Sequence, residues 1–259
     1  MTARTVYFLS DFGLADEFVG VVHAVIGRVA PGVPVVDITH QVAPHDVAGG
    51  AATLERAAPW LAGGVILGVV DPGVGTDRRA VALDAGEGTV LVGPDNGLLL
   101  PAARSLHPPG PVAAVRLETD TGAPGATFAG RDVFAPAAAR AALGEPLAAL
   151  GDPLDPASLV EFALPVPSVE GGRVRTQVLW VDRFGNAQLN VTPSTAGPVR
   201  LVEVAGRTHP APVVRSYGEI GTGYALVVDS YGRLAVSANG RAAAEELGLR
   251  PGSEVWLCR

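Results

Sequence analysis

Cysteine and basic residues are scarce in this chain. Cys258 is the single cysteine among 259 residues, which excludes an internal disulfide and any zinc centre built on several cysteines. Lys and Arg number 19 against 26 Asp and Glu, giving a formal net charge of −7. A broad nucleic-acid footprint requires clustered basic residues. We therefore expect no nucleic-acid partner.

Long apolar runs are also missing. No stretch reaches the ~20 apolar residues that a membrane-spanning helix requires. Residues 1–10 lead into a strand-like run and lack the layout of a signal peptide. We therefore expect no membrane association and a cytoplasmic location. The chain is nevertheless 48% hydrophobic and 17% charged, which is enough apolar material for one large domain or two ordinary ones.

The first part of the chain alternates between strand-like and helix-like segments. Val6–Ser10, Val33–Ile38 and Val65–Val70 are typical of buried strands. Phe18–Val29 carries an apolar stripe at helical spacing, and a second helix is predicted over Val47–Ala58. This alternation is typical of a parallel sheet covered on both faces. We predict an α/β domain over residues 1–165, with a Rossmann-like, mostly parallel sheet.

The pattern changes in the last third of the chain. Two prolines in Leu164–Ser168 predict a linker. Short β-type runs such as Val174–Val181 and Tyr224–Val228 follow, separated by Gly and Pro. This pattern predicts a smaller all-β, barrel-like domain over residues 170–259.

Carboxylates lie at the carboxyl ends of the first three predicted strands. They are Asp11, Asp37 and Asp71. Right-handed crossovers bring the carboxyl ends of parallel strands to one edge of the sheet, where ligands bind. Arg78 follows Asp71 after a turn rich in glycine, so the two side chains are candidates for an ion pair at this edge. A glycine-rich turn with surface charges is the alternative interpretation.

Several separated motifs occur in a fixed order along the chain. They are Ser10-Asp11-Phe12-Gly13, Asp37-Ile38-Thr39-His40, Val70-Asp71-Pro72-Gly73-Val74-Gly75-Thr76, Gly93-Pro94-Asp95-Asn96-Gly97, Asp182-Arg183-Phe184-Gly185-Asn186 and Asn239-Gly240. Together they resemble the S-adenosyl-L-methionine hydroxide adenosyltransferase family, the hydrolytic relatives of the fluorinase and chlorinase enzymes. The resemblance extends from about Val6 to Trp256.

The resemblance implies a fold, an assembly and a reaction. The fold is an α/β N-terminal domain followed by a β-barrel-like domain. The assembly is a homotrimer, with each active site between the N-terminal domain of one subunit and the C-terminal domain of the next. In the reaction, water-derived hydroxide attacks the ribose 5′ carbon of S-adenosyl-L-methionine, which gives adenosine and L-methionine without a cofactor. The leaving thioether is neutral, so the site needs only to position water, favour its deprotonation and hold the substrate in line.

The resemblance assigns the catalytic pair. Asp71 and Arg78 match the Asp and Arg of the family's water-binding triad, in which a nearby positive charge favours the ionised carboxylate. The third member is a histidine in the motif Thr-Phe-His-Gly-Arg-Asp, and Ala129 stands in its place here. The halogenating relatives have a tyrosine where this chain has Asp71. Since a carboxylate would repel a halide, the resemblance favours hydroxide as the nucleophile.

Substrate contacts follow from the same match. Asp11 would accept hydrogen bonds from the ribose 2′ and 3′ hydroxyls, as carboxylates do in dinucleotide sites. Asp182 would pair with the methionine ammonium, and Asn186 would read the adenine edge. The backbone near Asn239 and Gly240 would assist. A turn role is the alternative for Asn186.

Two further contacts are implied at the ends of the substrate. Tyr217 would stack on or beside the adenine ring, and Ser230 would bind the methionine carboxylate. The halogenating relatives have an arginine after this serine, whereas this chain has Tyr231. A core position is the alternative for Tyr217.

Two other functions stay open. One is a protein that binds S-adenosylmethionine or adenosine with little turnover, because Ala129 stands in place of the family histidine. A metal-dependent hydrolase built on His40 and His45 is the other, because histidine and aspartate are zinc ligands and Asp37 and Asp46 lie nearby in sequence. The resemblance gives these residues a loop-lining role without metal, so we expect no metal site.

Overall fold

The chain folds into two compact units. A computed structural model describes residues 3–120, 122, 125–162 and 165–259. The units are Met1–Ala163 and Leu164–Arg259. Leu164, the first residue of the predicted linker, lies outside the described residues. In the described part of the chain, the helices lack the length and apolar character needed to span a bilayer.

The first unit contains strands and helices in alternation at its start. Its strands are β1 (Val6–Ser10), β2 (Val35–Thr39), β3 (Val65–Val69), β4 (Ala80–Asp84), β5 (Val90–Pro94), β6 (Ala113–Leu117) and β7 (Gly151–Leu154). Its α-helices are α1 (Phe18–Val29), α2 (Val47–Ala57), α3 (Leu100–Leu106), α4 (Ala135–Ala142) and α5 (Leu147–Leu150). A π-helical turn, Gly130–Phe134, leads into α4, and 3-10 turns occupy Ala58–Trp60 and Pro156–Ser158.

The strands of this unit form one mixed sheet in the order β2-β1-β3-β5-β4-β6-β7. The pairings of β1 with β2, β1 with β3 and β3 with β5 are parallel. Those of β4 with β5, β4 with β6 and β6 with β7 are antiparallel. The α/β prediction is confirmed, but parallel pairing covers only half of the sheet. The short connection 85–89 explains the change, since a parallel crossover needs a dozen or more residues.

Helices cover both faces of this sheet. Val22 and Ile26 of α1 pack with Phe134 in a core on one face. Leu54 of α2 packs with Leu98 in a core on the other face. Strand β3 is buried along its whole length, which is why it reads as a continuous apolar run.

The second unit is built mainly from short strands. They are β8 (Ser168–Glu170), β9 (Arg173–Val181), β10 (Ala187–Leu189), β11 (Leu201–Val204), β12 (Arg207–Pro210), β13 (Val213–Val214), β14 (Tyr224–Val228), β15 (Leu234–Ala238) and β16 (Glu254–Cys258). Short helical segments are α6 (Pro193–Ala196), α7 (Ala243–Glu246) and the 3-10 turn Tyr217–Glu219.

One sheet connects these strands in the order β12-β11-β16-β9-β10-β15-β14-β13, with β8 paired to β9. Among its described pairings only β13 with β14 is parallel. Val178, Leu189 and Val236 belong to its apolar core. The prediction of a smaller β-sheet unit is confirmed.

Candidate active site

The parallel strands bring two of the predicted carboxylates into one pocket. Asp11 follows β1 directly, and Asp71 follows β3. Both line a cavity of about 280 Å³, together with Val74 and Ala129. Asp37 does not line this cavity and instead lies 2.8 Å from His23. The sheet edge therefore carries two separate polar clusters.

Asp71 and Arg78 form the predicted ion pair. Arg78 Nε donates a hydrogen bond to Asp71 Oδ1 at 2.8 Å, and Arg78 Nη2 donates to Asp71 Oδ2. The side chain of Asp71 is only 6% exposed, and that of Arg78 is 13% exposed. The guanidinium also lies over the ring of Phe134, with its carbon 5.1 Å from the ring centroid. Bidentate geometry and burial fix the orientation of this carboxylate.

A tight turn returns the chain so that Arg78 can reach Asp71. The Val74 amide donates to the Asp71 carbonyl at 3.2 Å, and the Thr76 hydroxyl donates to the Gly73 carbonyl at 2.7 Å. A Cβ on Gly73 would lie 3.1 Å from Arg78 Cγ, so glycine leaves room for the returning side chain. The interpretation of this segment as a turn with only surface charges is wrong, because the ion pair is buried.

Arg79 serves a different partner. Its Nε donates to Asp95 Oδ2 at 2.7 Å, and its Nη1 donates to the Ser158 hydroxyl at 3.1 Å. The side chain of Asp95 is 3% exposed. Asp95 also accepts a hydrogen bond from the Val160 amide, so this second ion pair holds a loop, and it does not line the cavity that holds Asp11 and Asp71.

Asp11 has one carboxylate oxygen occupied. Its Oδ2 accepts a hydrogen bond from the His45 amide at 2.9 Å. His45 adopts a left-handed backbone with φ of 67°, which points this amide to the carboxylate. In the described part of the chain, Asp11 Oδ1 has no hydrogen-bond partner. It is therefore available to a ligand.

Aromatic rings form one wall of the same pocket. Phe12, Phe18 and Phe128 line it and pack edge to face or tilted, with centroids 5.1–5.9 Å apart. Phe18 is 37% exposed. Sequence reasoning missed this wall, although Phe12 and Phe128 lie inside two of the quoted motifs.

Ala129 lies between two cavities. It lines the cavity that holds Asp71 and a neighbouring one of about 210 Å³, which is also lined by Arg78 and Asp132. The Asp132 carboxylate is paired with Arg131 at 2.6 and 2.8 Å. A methyl group therefore occupies the position of the family histidine, with open space on both sides.

The second unit gathers most of the other predicted contacts. Asp182, Asn186, Tyr217, Ser230 and Gly240 line a cavity of about 670 Å³. Asn239 is exposed and does not line it; the Asn239 Nδ2 donates weakly to a backbone carbonyl at 3.4 Å.

Asp182 organises the loop that forms one side of this cavity. Its Oδ1 accepts from the Phe184 and Asn186 amides at 2.9 and 2.8 Å, and its Oδ2 accepts from Asn186 Nδ2 at 2.7 Å. Gly185 adopts φ of +81°, and a Cβ there would lie 2.5 Å from Ala242 Cα. The turn role considered for Asn186 is therefore present, and it fixes both polar side chains in the cavity wall.

Aromatic groups flank these carboxylate and amide groups. Burial and then the negative charges of Asp182 and Asp229 raise the pKa of the Tyr217 phenol above its usual value. Tyr217 is 47% exposed, so the alternative interpretation, a core position, is wrong. Phe184, which sequence reasoning missed, is 77% exposed in the same cavity. An aromatic residue inside a polar motif was the available signal.

His40 and His45, considered together as candidate metal ligands, lie in two different groups of residues. His45 lines the cavity of Asp11 and Asp71, whereas His40 lies with Asp37 and His23. Asp46 caps helix α2 by accepting from the Gly49 amide at 2.8 Å. Burial opposes ionisation of Asp37, but its polar contacts with His40 and His23 and their charges outweigh it and lower the Asp37 pKa.

The first unit holds a carboxylate oriented by arginine in a cavity, and the second unit holds a polar and aromatic cavity of its own. Concave sites with a few placed polar groups are typical of an enzyme that acts on a small molecule. Two family models match in order: the S-adenosyl-L-methionine hydroxide adenosyltransferase N-terminal domain over residues 6–151 and its C-terminal domain over residues 176–256. The chain belongs to this family, which confirms the resemblance found in the motifs.

Relatives match along nearly the whole chain. A protein of Salinispora tropica named (R)-S-adenosyl-L-methionine hydrolase is 49% identical over 253 residues, covering 96% of this chain and 95% of the relative. A Thermus thermophilus protein with the same name is 47% identical over 266 residues, with 98% and 99% coverage. The crystal structure of a conserved Thermotoga maritima protein aligns with a TM-score of 0.90 at 33% identity, covering 98% of this chain and all of that one.

Proposed function

We propose that this chain hydrolyses S-adenosyl-L-methionine to adenosine and L-methionine. The observation that carries the proposal is the bidentate Asp71–Arg78 pair, whose carboxylate lines the same cavity as Asp11. Relatives that carry the hydrolase name match this chain at 47–49% identity, which supports the assignment.

Asp71 activates the water. Each carboxylate oxygen has two lone pairs, and the bidentate arginine uses one on each oxygen. A water can therefore donate to the remaining lone pair of Asp71. As the water oxygen bonds to the ribose 5′ carbon, its proton passes to the carboxylate. The carbon–sulfur bond breaks, its electron pair neutralises the sulfonium, and methionine leaves without needing a proton.

The remaining residues hold the substrate. Asp11 Oδ1 accepts from the ribose hydroxyls, and the phenylalanine wall excludes water from one side. In the second unit, Asp182 attracts the methionine ammonium, Asn186 reads the adenine edge and Tyr217 stacks on adenine. Ser230 binds the methionine carboxylate, and the backbone near Asn239 and Gly240 assists. The second-unit cavity of about 670 Å³ lies within the size range of small-molecule sites, and the first-unit cavity of about 280 Å³ lies just below it.

Asp71 also decides between nucleophiles. A carboxylate repels a halide ion but accepts a proton from water. Ala129 removes one contact to that water. General acid–base contacts are typically worth ~10²–10⁴-fold, so turnover is slowed by its absence but not abolished. Binding without turnover is the competing function, and a product assay separates the two.

The decisive assay uses each sulfonium epimer of the substrate separately in ¹⁸O-labelled water. The relatives' name specifies the R form, so we expect adenosine from that epimer at least. The label should enter the 5′ hydroxyl of adenosine, because water attacks that carbon. Excess chelator should leave the rate unchanged, since no step uses a cofactor. Failure to form adenosine above the no-enzyme control overturns the proposal, and tight binding by calorimetry would then support the binding protein.

We propose a homotrimer in which each active site combines the first-unit cavity of one subunit with the second-unit cavity of the next. Co-expressing Asp71→Asn and Asp182→Ala chains tests this. In a cyclic trimer with shared sites and equal expression, about three quarters of the trimers contain both variants. One of the three sites in each mixed trimer joins two intact halves, so about one quarter of parental activity should be restored. Activity no greater than that of the separate variants, or a monomer by light scattering, would contradict the arrangement. The cytoplasmic location stays a prediction.

A further inference from the structure

Three metal-ligand side chains converge beside the first strand. His23 lies on α1, Asp37 on β2 and His40 directly after β2. His23 Nε2 is 2.8 Å from Asp37 Oδ1, and His40 Nε2 is 3.1 Å from the same oxygen. One ligand atom from each residue lies within 4.8 Å of the others. The cluster shares no residue with the lining of the cavity that holds Asp71.

His40 is the informative member of this cluster. Its side chain is 2% exposed, and its Nε2 makes no hydrogen bond with the described residues, because its contact with Asp37 is poorly aligned. A buried ring nitrogen without a partner is unfavourable. The two other members of the cluster are partly open to solvent, since the side chain of Asp37 is 41% and that of His23 is 34% exposed.

Ser10 holds the other side of the His40 ring. Its hydroxyl oxygen lies 2.8 Å from His40 Nδ1 and also accepts from the Phe12 amide at 3.3 Å. Metal-ligating histidines commonly donate their second ring N–H to a neighbouring oxygen, which fixes the tautomer that leaves the other nitrogen free. Ser10 can accept such a bond and leave Nε2 for a metal.

The spacing suits a tetrahedral ion. Zinc binds histidine nitrogen at about 2.0–2.1 Å and carboxylate oxygen at about 2.0–2.2 Å, so its ligand atoms lie roughly 3.3–3.4 Å apart. The two measured separations are 2.8 and 3.1 Å. The third separation, between the two histidine nitrogens, is at most 4.8 Å. Binding therefore requires the Asp37 oxygen to move outwards by a few tenths of an ångström and the histidine nitrogens to adjust by at most ~1.5 Å, which the partly exposed side chains of His23 and Asp37 can make.

We propose that His23, Asp37 and His40 bind a divalent transition-metal ion of the zinc class, with a fourth position open to solvent. Two imidazoles and a carboxylate are a ligand set that suits this class. The ion would connect α1 to the end of β2. It takes no part in the hydrolytic step, so the proposal does not depend on the proposed function.

The test titrates zinc chloride into metal-free full-length protein by calorimetry. Three single variants are compared with the parent: His23→Gln, Asp37→Asn and the control His107→Gln. His107 belongs to the same unit, is exposed and lies outside the cluster, with its Nδ1 2.9 Å from the Gly110 carbonyl. The cobalt(II) form of each protein is also measured by visible absorption, and circular dichroism checks that each variant is folded.

We expect one zinc ion per chain and the intense visible bands of tetrahedral cobalt in the parent and in the control. Loss of His23 or Asp37 should weaken zinc binding by at least tenfold, because even an outer-shell change typically costs ~10–100-fold. It should also remove the cobalt bands. No zinc binding by the parent, or equal binding by all four proteins, overturns the proposal, the latter because it indicates an adventitious ion only. Zinc binding at this cluster together with hydrolysis that continues in excess chelator would support both the metal site and the proposed function. Zinc binding by a protein that forms no adenosine would contradict only the proposed function.

Discussion

Replacing Asp71 with asparagine tests the proposed chemistry most directly. The substitution keeps the shape of the side chain but removes the charge that Arg78 holds and the capacity to take up a proton. A lost general base typically costs ~10²–10⁴-fold, which is about 2.7–5.5 kcal/mol in the activation barrier. We expect kcat for adenosine formation to fall by this factor with little change in KM, because Asp71 acts on the water.

The same substitution also affects stability, and the structure allows the two effects to be separated. Asparagine leaves Arg78, which is only 13% exposed, without its counter-charge. Loss of a hydrogen bond to a charged group costs about 1.5–3 kcal/mol of the free energy of unfolding. The double variant Asp71→Asn/Arg78→Met removes the stranded charge, so urea unfolding should show partial recovery of stability. Its turnover should stay as low as in the single variant.

Asp95 provides a matched control. It is 3% exposed and paired with Arg79, but it does not line the cavity that holds Asp11 and Asp71. Asp95→Asn should therefore lose comparable stability while keeping kcat within a few-fold of the parent. Two results would refute the reasoning: turnover of Asp71→Asn within a few-fold of the parent, or turnover in the double variant that recovers along with stability.

Other variants test single contacts. Ala129→His should raise kcat by about tenfold or more by restoring a water contact; an equal or lower rate in the product assay would mean that another group fills this role. Asp11→Asn should raise KM by at least about tenfold through a weakened hydrogen bond to the ribose, and unchanged saturation kinetics would remove Asp11 from the substrate site. Gly185→Ala should destabilise more than Gly206→Ala in urea unfolding. Both backbones have positive φ, which costs roughly 1–2 kcal/mol for alanine, but only the Gly185 Cβ would meet a neighbour, Ala242; equal losses would show that this contact costs nothing.

The sequence predicts much of the first unit because the signal there is local. Strands β1 and β3 are continuous apolar runs, and α1 has an apolar stripe at helical spacing. Parallel pairing then requires Asp11 and Asp71 to meet at one edge. The antiparallel part was harder to predict, since strand direction depends on loop length and on pairing partners that no single segment specifies.

Several features of the histidine–aspartate cluster and of the second-unit cavity depend on tertiary structure. His23 is 14 positions from Asp37, and only the packing of α1 against the sheet brings them together. The exposure of Phe184 and the use of the Asp182 oxygens within their own loop likewise depend on backbone geometry. Residue types and spacing identify candidates for chemistry, but they do not specify which hydrogen bonds those candidates already make.

The adjacent arginines have a consequence for how this enzyme can diverge. Arg78 and Arg79 precede β4 and turn to different partners, Asp71 and Asp95. Successive side chains in extended chain point to opposite sides. Inserting one residue between Arg79 and Ala80 would therefore exchange their directions relative to β4, whereas an insertion between Pro72 and Asp77 would lengthen the turn and leave both arginines in place before the strand. Homologous turns of different length should accordingly keep the two arginines at a fixed distance before the strand.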